Sequence, residues 1–269
     1  MDTKIAALRL SENQVDIWCA RLPAVWDDGL FHSYCEILTS EESERYTRFA
    51  FENDRRQFLL TRALERDVLS RYLGVEPAAL EFTRNEFGKP ALAEPSGCPI
   101  TYSLSHTKGL SVCAVAFEQM IGVDVESLQR TPSHRDISKR FFAAPEAAYL
   151  ETIDEGQKRA EFIRLWTLKE AFVKARGLGL SIPLNSFEIK MYPDRPPWVF
   201  FSDEVHGHEA DWRFLQIRFG HSFHIAIALN KPKSKELAVR FSTITPLTEE
   251  RASLILESNG LNTWVVEEV

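Results

Sequence analysis

Residues 121–126 read IGVDVE, with Ile121, Val123 and Val125 alternating with Gly122, Asp124 and Glu126. Successive side chains of a strand point to opposite faces. The stretch therefore predicts a strand with an aliphatic face turned to a core and an opposite face that carries two carboxylates. Their side chains stand two residues apart, about 6–7 Å along the strand. They repel, and both gain from a cation between them. Oxygen-only ligands of this kind suit a hard ion, magnesium first. The alternative is a solvated acidic face, because charged side chains mostly lie at surfaces. Gly122, on the carboxylate side, is read as leaving room for a ligand to approach the backbone.

Upstream, ITYSLSHTKGLSVCAVAF (100–117) predicts a hairpin whose first strand ends near Ser105–His106. LEFTRNEFGKPAL (80–92) reads as a strand followed by a turn at Gly88–Pro90, and VDIWCARL (15–22) as another strand. Between them, Thr39 or Ser40 caps a helix with Glu41, Glu42 and Glu44 in its first turn. A second helix over 53–73 follows from the spacing of Phe58, Leu59, Ala63, Leu64, Val68 and Leu69, with Gly74 beyond it and Arg55, Arg56, Arg62 and Arg66 on its other face.

Downstream, residues 131–154 predict two short helices started by Ser133 and Pro145. AEFIRLWTLKEAFVKARGLGL (160–180) is the strongest helical pattern, stopped by Gly177 and Gly179. Four alternating stretches, 187–192, 197–204, 211–219 and 223–229, predict an antiparallel sheet, and LTEERASLILESNG (247–260) a last helix. Each half carries a helix-rich part and then strands. The expected class is α+β: two similar lobes, 1–120 and 121–244, each with an antiparallel sheet packed against helices, and a helical C-terminal extension over 245–269.

A chain of 269 residues that is 44% hydrophobic has the material for a good core. Its net charge of -7 argues against nucleic acid as a partner, since that task needs a basic footprint. No stretch approaches the roughly 18 apolar residues of a membrane span. The N-terminal residues carry charges where a signal peptide has an apolar run. Cys19, Cys35, Cys98 and Cys113 show neither CxxC nor zinc-ligand spacing, as expected of a reduced, cytoplasmic chain.

Two further constellations bear on IGVDVE. In FIRLWTLKEAFVKA, Phe162, Leu165, Leu168 and Phe172 form one stripe, while Ile163, Trp166, Glu170 and Lys174 share another face. Glu170 beside Trp166 needs a cation or a hydrogen-bond partner if it is buried. An i,i+4 ion pair with Lys174 on the helix surface is the alternative. The other constellation is basic: Lys89 on the FGKP turn (87–90), and Ser105, His106, Lys108 and Gly109 in SLSHTKG (103–109). Hydroxyl, imidazole, ammonium and free N–H groups together make a phosphate cradle; ordinary solvated turns are the alternative. Arg62 is a candidate further phosphate contact. A G-x-S-x-G elbow, a Walker loop and G-x-G-x-x-G are all absent from the sequence.

Taken in order, FGKPAL, YSLSHT, IGVDVE, KRFFAAPE and LWTLKEAFVKARGLGLSIPLNSF resemble the 4'-phosphopantetheinyl transferases, in particular the surfactin-synthetase-activating type. Trp166, Lys169, Glu170, Ala171 and Lys174 match the family's W-x-x-K-E-A-x-x-K signature, and the resemblance spans roughly residues 35–230. It implies transfer of phosphopantetheine from coenzyme A to a serine of an apo acyl or peptidyl carrier protein, with release of adenosine 3',5'-bisphosphate. The carriers served by such enzymes belong to nonribosomal peptide, polyketide or fatty-acid synthesis.

By position, the resemblance implies Asp124, Glu126 and Glu170 as ligands of magnesium, or of manganese in its place. It implies Arg45, Arg62, Lys89, Ser105, His106, Asp124 and Lys174 as the coenzyme-binding set. Lys174 would neutralise the diphosphate, and Glu170 would be the base toward the carrier serine, with His106 as runner-up. Glu42 and Phe58 stand where the family can have lysine and threonine, which makes Arg62 the preferred partner of the 3'-phosphate. The implied fold has two lobes related by a pseudo-twofold, with the site in the cleft between them, in a monomer. A coenzyme-binding module without turnover and an interaction scaffold are the competing classes.

Overall fold

The computed structural model describes residues 7–93, 98–129, 134–201, 208–231, 236–248, 251–257 and 260–267. The first half contains β1 (Gln14–Arg21), α1 (Asp28–Glu36), α2 (Ser40–Arg48), α3 (Glu52–Leu73), the short strands β2 (Phe82–Arg84) and β3 (Pro90–Leu92), and the hairpin β4 (Ile100–Thr107) and β5 (Leu110–Phe117). The second contains β6 (Ile121–Ser127), α4 (His134–Phe141), α5 (Ala144–Thr152), α6 (Glu155–Arg176), β7 (Phe187–Lys190), β8 (Trp198–Phe201), β9 (Trp212–Phe219) and β10 (Phe223–Asn230). Three strands close the chain: β11 (Ala238–Ile244), β12 (Arg251–Leu256) and β13 (Thr263–Val266). The class is mixed α and β. Ser133, expected to start a helix, lies outside the described residues.

Strand alternation builds the layers. Val15, Ile17 and Cys19 of β1, Val112 and Ala114 of β5, Ile121, Val123 and Val125 of β6, and Ile225 and Ile227 of β10 all belong to one buried cluster. Two sheets, β12-β11-β1-β5-β4 and β13-β9-β10-β6, therefore face each other across a shared aliphatic core. The residues in between point outward. Trp18, Cys113 and Val115 pack against Leu60, Leu64 and Val68 of α3. Phe214, Ala226 and Ala228 pack against Phe162, Leu165, Leu168 and Phe172 of α6. The order of layers is α3, sheet, sheet, α6. Each fully buried aliphatic side chain contributes roughly 1.5–3 kcal/mol by leaving water.

Helix ends follow local chemistry. Thr39 caps α2: the Glu42 N–H donates to Thr39 Oγ1 at 3.2 Å, and the Thr39 N–H donates to Glu42 Oε2 at 3.0 Å. The same Glu42 oxygen accepts from the buried Arg66 at 2.8 Å, which ties α2 to α3. Glu42 is thus a structural acid. Gly177 ends α6 with a φ of 69°, a conformation that favours glycine.

The structure corrects two expectations. The described residues of the tail hold strands, not a helix: β12 pairs antiparallel with β11, and β13 pairs parallel with β9. The polar-apolar mixture of 247–260 suits a helix in isolation, but the open edge of β11 offers LIL a ladder, and tertiary pairing overrides local propensity. Nor are the sheets purely antiparallel, because β11 joins β1 in parallel. β11 and β12, which the expected boundary at 244 divides, pair antiparallel on the first sheet. Helix α1, capped by Asp27 whose Oδ1 accepts from the Leu30 N–H at 2.9 Å, was not expected.

Candidate functional site

Strands β4 and β6 end the two sheets side by side, and serines of β4 stitch the seam. The Val123 N–H donates to Ser103 Oγ at 3.0 Å, and the Val125 N–H donates to Ser105 Oγ at 3.4 Å. Above this seam opens a cleft of about 1680 Å³. Its walls come from the start of α3, the 87–90 turn and the β4–β5 hairpin on one side, and from Glu126, Glu170, Lys174 and Gly177 on the other.

The carboxylate face of β6 meets α6 here. Lys174 Nζ donates to Asp124 Oδ1 at 2.6 Å and to Ser105 Oγ at 2.9 Å, and Ser105 Oγ donates to the same Asp124 oxygen at 2.9 Å. Asp124 is buried, and its Oδ2 has no hydrogen-bond partner among the described residues. Glu126 and Glu170 line the cleft. The Glu170 carboxyl is raised above the usual carboxylate range by burial, and further by the negative charges of Asp124 and Glu126, with Lys174 opposing. Lys174 thus pairs with Asp124 across the seam, not along its own helix with Glu170. Glu170 is half-buried and faces the cleft.

Gly122 takes a different part from the one expected of it. A Cβ there would stand 2.0 Å from the Ala171 carbonyl oxygen and 2.3 Å from the Ala175 nitrogen. The space beside Gly122 is filled by the backbone of α6, and no ligand can enter it. This close crossing sets Glu170 and Lys174 beside Asp124.

The opposite wall is basic. Eight Arg and Lys residues line the cleft against three Asp and Glu, in a protein of net charge -7. Arg45 and Arg62 both lie over the Phe58 ring, at 5.3 and 5.9 Å from its centroid. Arg62 is backed by the buried Glu65, which also accepts from the Tyr102 hydroxyl at 3.0 Å. The His106 side chain is exposed on the cleft wall, and its imidazole is held below the usual range by partial desolvation first, then by the positive charges of Lys174, Arg62 and Arg45. The clustered ammonium and guanidinium groups give this wall a local excess of positive potential.

Lys89 lines the cleft, but its ammonium is engaged with protein: Nζ donates to the carbonyls of Ile121 and Ala175, each at 3.1 Å. Burial brings its pKa down to about 8. It tethers the start of β6 to the end of α6 while keeping its side chain at the cleft. Ser105 sits beneath the cleft as the bridge between Asp124 and Lys174. Arg21 was missed by sequence reasoning. It lines the far end of the cleft and stacks its guanidinium over Phe219 and Phe223, each at 5.1 Å. The end of an ordinary strand gives no local signal for such a role.

Among the described residues no three His, Cys, Asp or Glu side chains form a ready-made metal centre. The donor set nevertheless fits a hard cation. Glu170 stands within electrostatic reach of Asp124 and Glu126, Asp124 carries a buried unpartnered oxygen, and its charge is met by an ammonium.

The model of the 4'-phosphopantetheinyl transferase superfamily matches residues 120–228, and that of the 4'-phosphopantetheinyl transferase N-terminal region matches 27–118. The 4'-phosphopantetheinyl transferase HetI of Nostoc sp. is 36% identical over 192 residues, covering 70% of this chain and 79% of that protein. The chain belongs to the 4'-phosphopantetheinyl transferase family. As an enzyme of this family it also resembles the transferase Sfp of Bacillus subtilis, 32% identical over 161 residues (60% of this chain, 70% of the other). The human L-aminoadipate-semialdehyde dehydrogenase-phosphopantetheinyl transferase is 28% identical over 212 residues (72% and 68%). No helix among the described residues of this transferase is long and apolar enough to cross a membrane.

Proposed function

We propose that this transferase moves the 4'-phosphopantetheine group from coenzyme A to a serine hydroxyl of an apo acyl or peptidyl carrier protein, with a magnesium ion, releasing adenosine 3',5'-bisphosphate. One observation supports this above others: a single cleft joins a basic wall, suited to a multiply phosphorylated nucleotide, to a cluster of three carboxylates and a lysine.

In this reading Asp124, Glu126 and Glu170 hold the magnesium ion, or manganese in its place, which when bound supplies positive charge against the diphosphate. Lys174, at the cleft surface, neutralises the diphosphate and the charge that grows on the leaving nucleotide. Arg45 and Arg62 meet the 3'-phosphate, and His106 donates a hydrogen bond within the same cradle. The carrier serine oxygen forms a bond to phosphorus as the bond from phosphorus to the nucleotide oxygen breaks. Glu170 accepts the serine proton. His106 is the second candidate for that step. Its position among positive charges suits anion binding better. Most of the rate gain comes from positioning and electrostatics.

The reading extends to the architecture. The strands β1, β4 and β5 lie in the order β1-β5-β4, and β6, β9 and β10 in the order β6-β10-β9, each set packed on one long helix. This repeated order supports two lobes related by a pseudo-twofold, so that one chain supplies both walls of the cleft and works as a monomer. The four free thiols are in keeping with a cytoplasmic protein whose partners are coenzyme A and carrier proteins, not membranes or nucleic acid. The test is incubation with coenzyme A, magnesium and a panel of apo carriers, read by intact mass. A metal-dependent gain of one phosphopantetheine on the carrier is expected. Coenzyme binding with no mass gain on any carrier would leave a binding module without turnover.

A further inference from the structure

Lys174 and Asp124 form a close ion pair that links α6 to β6, and it lies where the carboxylate cluster would receive a metal. The pair is well made. Its 2.6 Å contact is supported by Ser105, whose hydroxyl accepts from Lys174 and donates to the same Asp124 oxygen. Asp124 is nearly closed to solvent, with a side-chain exposure of 8% against 32% for Lys174. The lysine is therefore the partner with freedom to move, on a flexible four-carbon stem that already lines the cleft. The other Asp124 oxygen is buried without a partner, and the three carboxylates are not gathered into a ready-made centre. A divalent ion on either Asp124 oxygen would be a near neighbour of the ammonium, and like charges that close repel strongly in a partly buried site.

From this we infer that Lys174 is the resident counter-ion of the cluster and sets the order of assembly. It holds down the metal affinity of the free protein, and an incoming diphosphate opens the cluster by drawing the ammonium away from Asp124. The inference rests on the metal-binding reading above and goes beyond it. One side chain serves in turn as placeholder for the metal and as ligand of the diphosphate, so metal and coenzyme bind with positive coupling. Part of that coupling would arise wherever a metal touches a diphosphate. The part owed to Lys174 is visible in the free protein, before any coenzyme is present.

The experiment titrates the full chain with Mn2+, following the free aquo-ion by electron paramagnetic resonance, with and without coenzyme A and with no carrier present. The wild type is expected to bind Mn2+ weakly alone and roughly tenfold or more tightly with coenzyme A. Lys174→Met, similar in length and uncharged, is expected to bind Mn2+ alone roughly tenfold more tightly than the free wild type, and to gain less from coenzyme A. Ser105→Ala, which removes one of the two bonds that hold the lysine, should shift the free affinity the same way by less, and carries the test if circular dichroism shows Lys174→Met to be unfolded. If the folded variants bind Mn2+ no more tightly than the free wild type, while the wild type with coenzyme A binds it well, the placeholder role is overturned and the metal reading stands. If neither wild type with coenzyme A nor Lys174→Met binds Mn2+, the metal reading falls and this inference falls with it.

Discussion

Gly122 of β6 and Ala171 of α6 meet backbone to backbone: a Cβ on the glycine would stand 2.0 Å from the alanine carbonyl oxygen. Ala175, one turn on, is as close, with its nitrogen 2.3 Å from the same point. The site is assembled by this crossing, because Glu170 and Lys174 flank the two alanines. Gly122→Ala must push the helix away from the strand, and backbone cannot yield as a side-chain tip can. A loss of about 3 kcal/mol is expected, seen as a lower midpoint in urea, together with a fall in transfer activity in whatever fraction remains folded. Wild-type stability in this variant would show that the helix does not need so close an approach.

The two acids at the cleft separate by their effects. Glu170→Gln keeps shape and removes the proton acceptor, so kcat should fall by about 10²–10⁴-fold with a smaller change in the coenzyme A KM. Asp124→Ala removes a metal ligand and the partner of Lys174, and should abolish metal-dependent transfer. Steady-state kinetics on an apo carrier checks both. Full activity in either variant would remove that residue from the machinery.

Lys89 holds two backbone carbonyls and faces the cleft at once. Lys89→Met should therefore lower thermal stability and raise the coenzyme A KM by more than it lowers kcat. Burial brings its pKa down to about 8, so its charge is present at neutral pH and is lost as pH rises through 8. The coenzyme A KM should climb across that range, and Lys89→Arg, which stays charged, should flatten the climb. A KM profile identical in the two proteins would disconnect Lys89 from the coenzyme.

Lys169, the signature lysine next to Glu170, does not reach the cleft. Its ammonium is fully buried, 2.6 and 2.7 Å from the two Glu146 oxygens and 2.8 Å from the Phe187 carbonyl, and binds α5 and β7 to α6. Removing one partner strands the other's charge, so Lys169→Met or Glu146→Leu alone should cost about 3–5 kcal/mol. The double variant should cost clearly less than the sum of the two, as a double-mutant cycle in urea would reveal.

His224 supplies an acid-sensitive element. It is buried, it hydrogen-bonds Thr167 Oγ1 through Nδ1 at 2.7 Å, and burial, aided by the charge of Arg164, brings its pKa down to about 3. The unfolded chain takes up this proton near pH 6.5 and the folded one does not. The stability it lends is thus complete above pH 6.5 and lost as pH falls from there toward 3, by up to about 1.4 kcal/mol per unit. Urea midpoints at pH 7 and 5 should converge in His224→Asn relative to the wild type. An unchanged difference would show that other groups set the acid limit.

Much of this arrangement was legible from local pattern. The alternation of 121–126, the hairpin at 100–117 and the long helix ended by Gly177 all follow from signals within a few residues. What escaped depends on distant partners. The glycine of IGVDVE reads as open space until α6 is laid across it, and Glu42 reads as an oddity until Arg66 is seen behind it. The LIL run at 254–256 reads as helix until β11 offers its edge, and β11 in turn needs β1, more than two hundred residues earlier. The i,i+4 pair of Lys174 with Glu170, one of the two readings the helix pattern allows, gives way to Asp124 because that partner is on another element.

The late strands also bear on how the chain comes into being. β1 leaves the ribosome more than two hundred residues before its parallel neighbour β11, and β9 likewise waits for β13. Pairings across such separations are slow to form. Until those residues are made, β1 and β9 keep open edges, and a nascent chain halted before residue 238 would carry both unsealed, each a template for pairing with its neighbours on the same message.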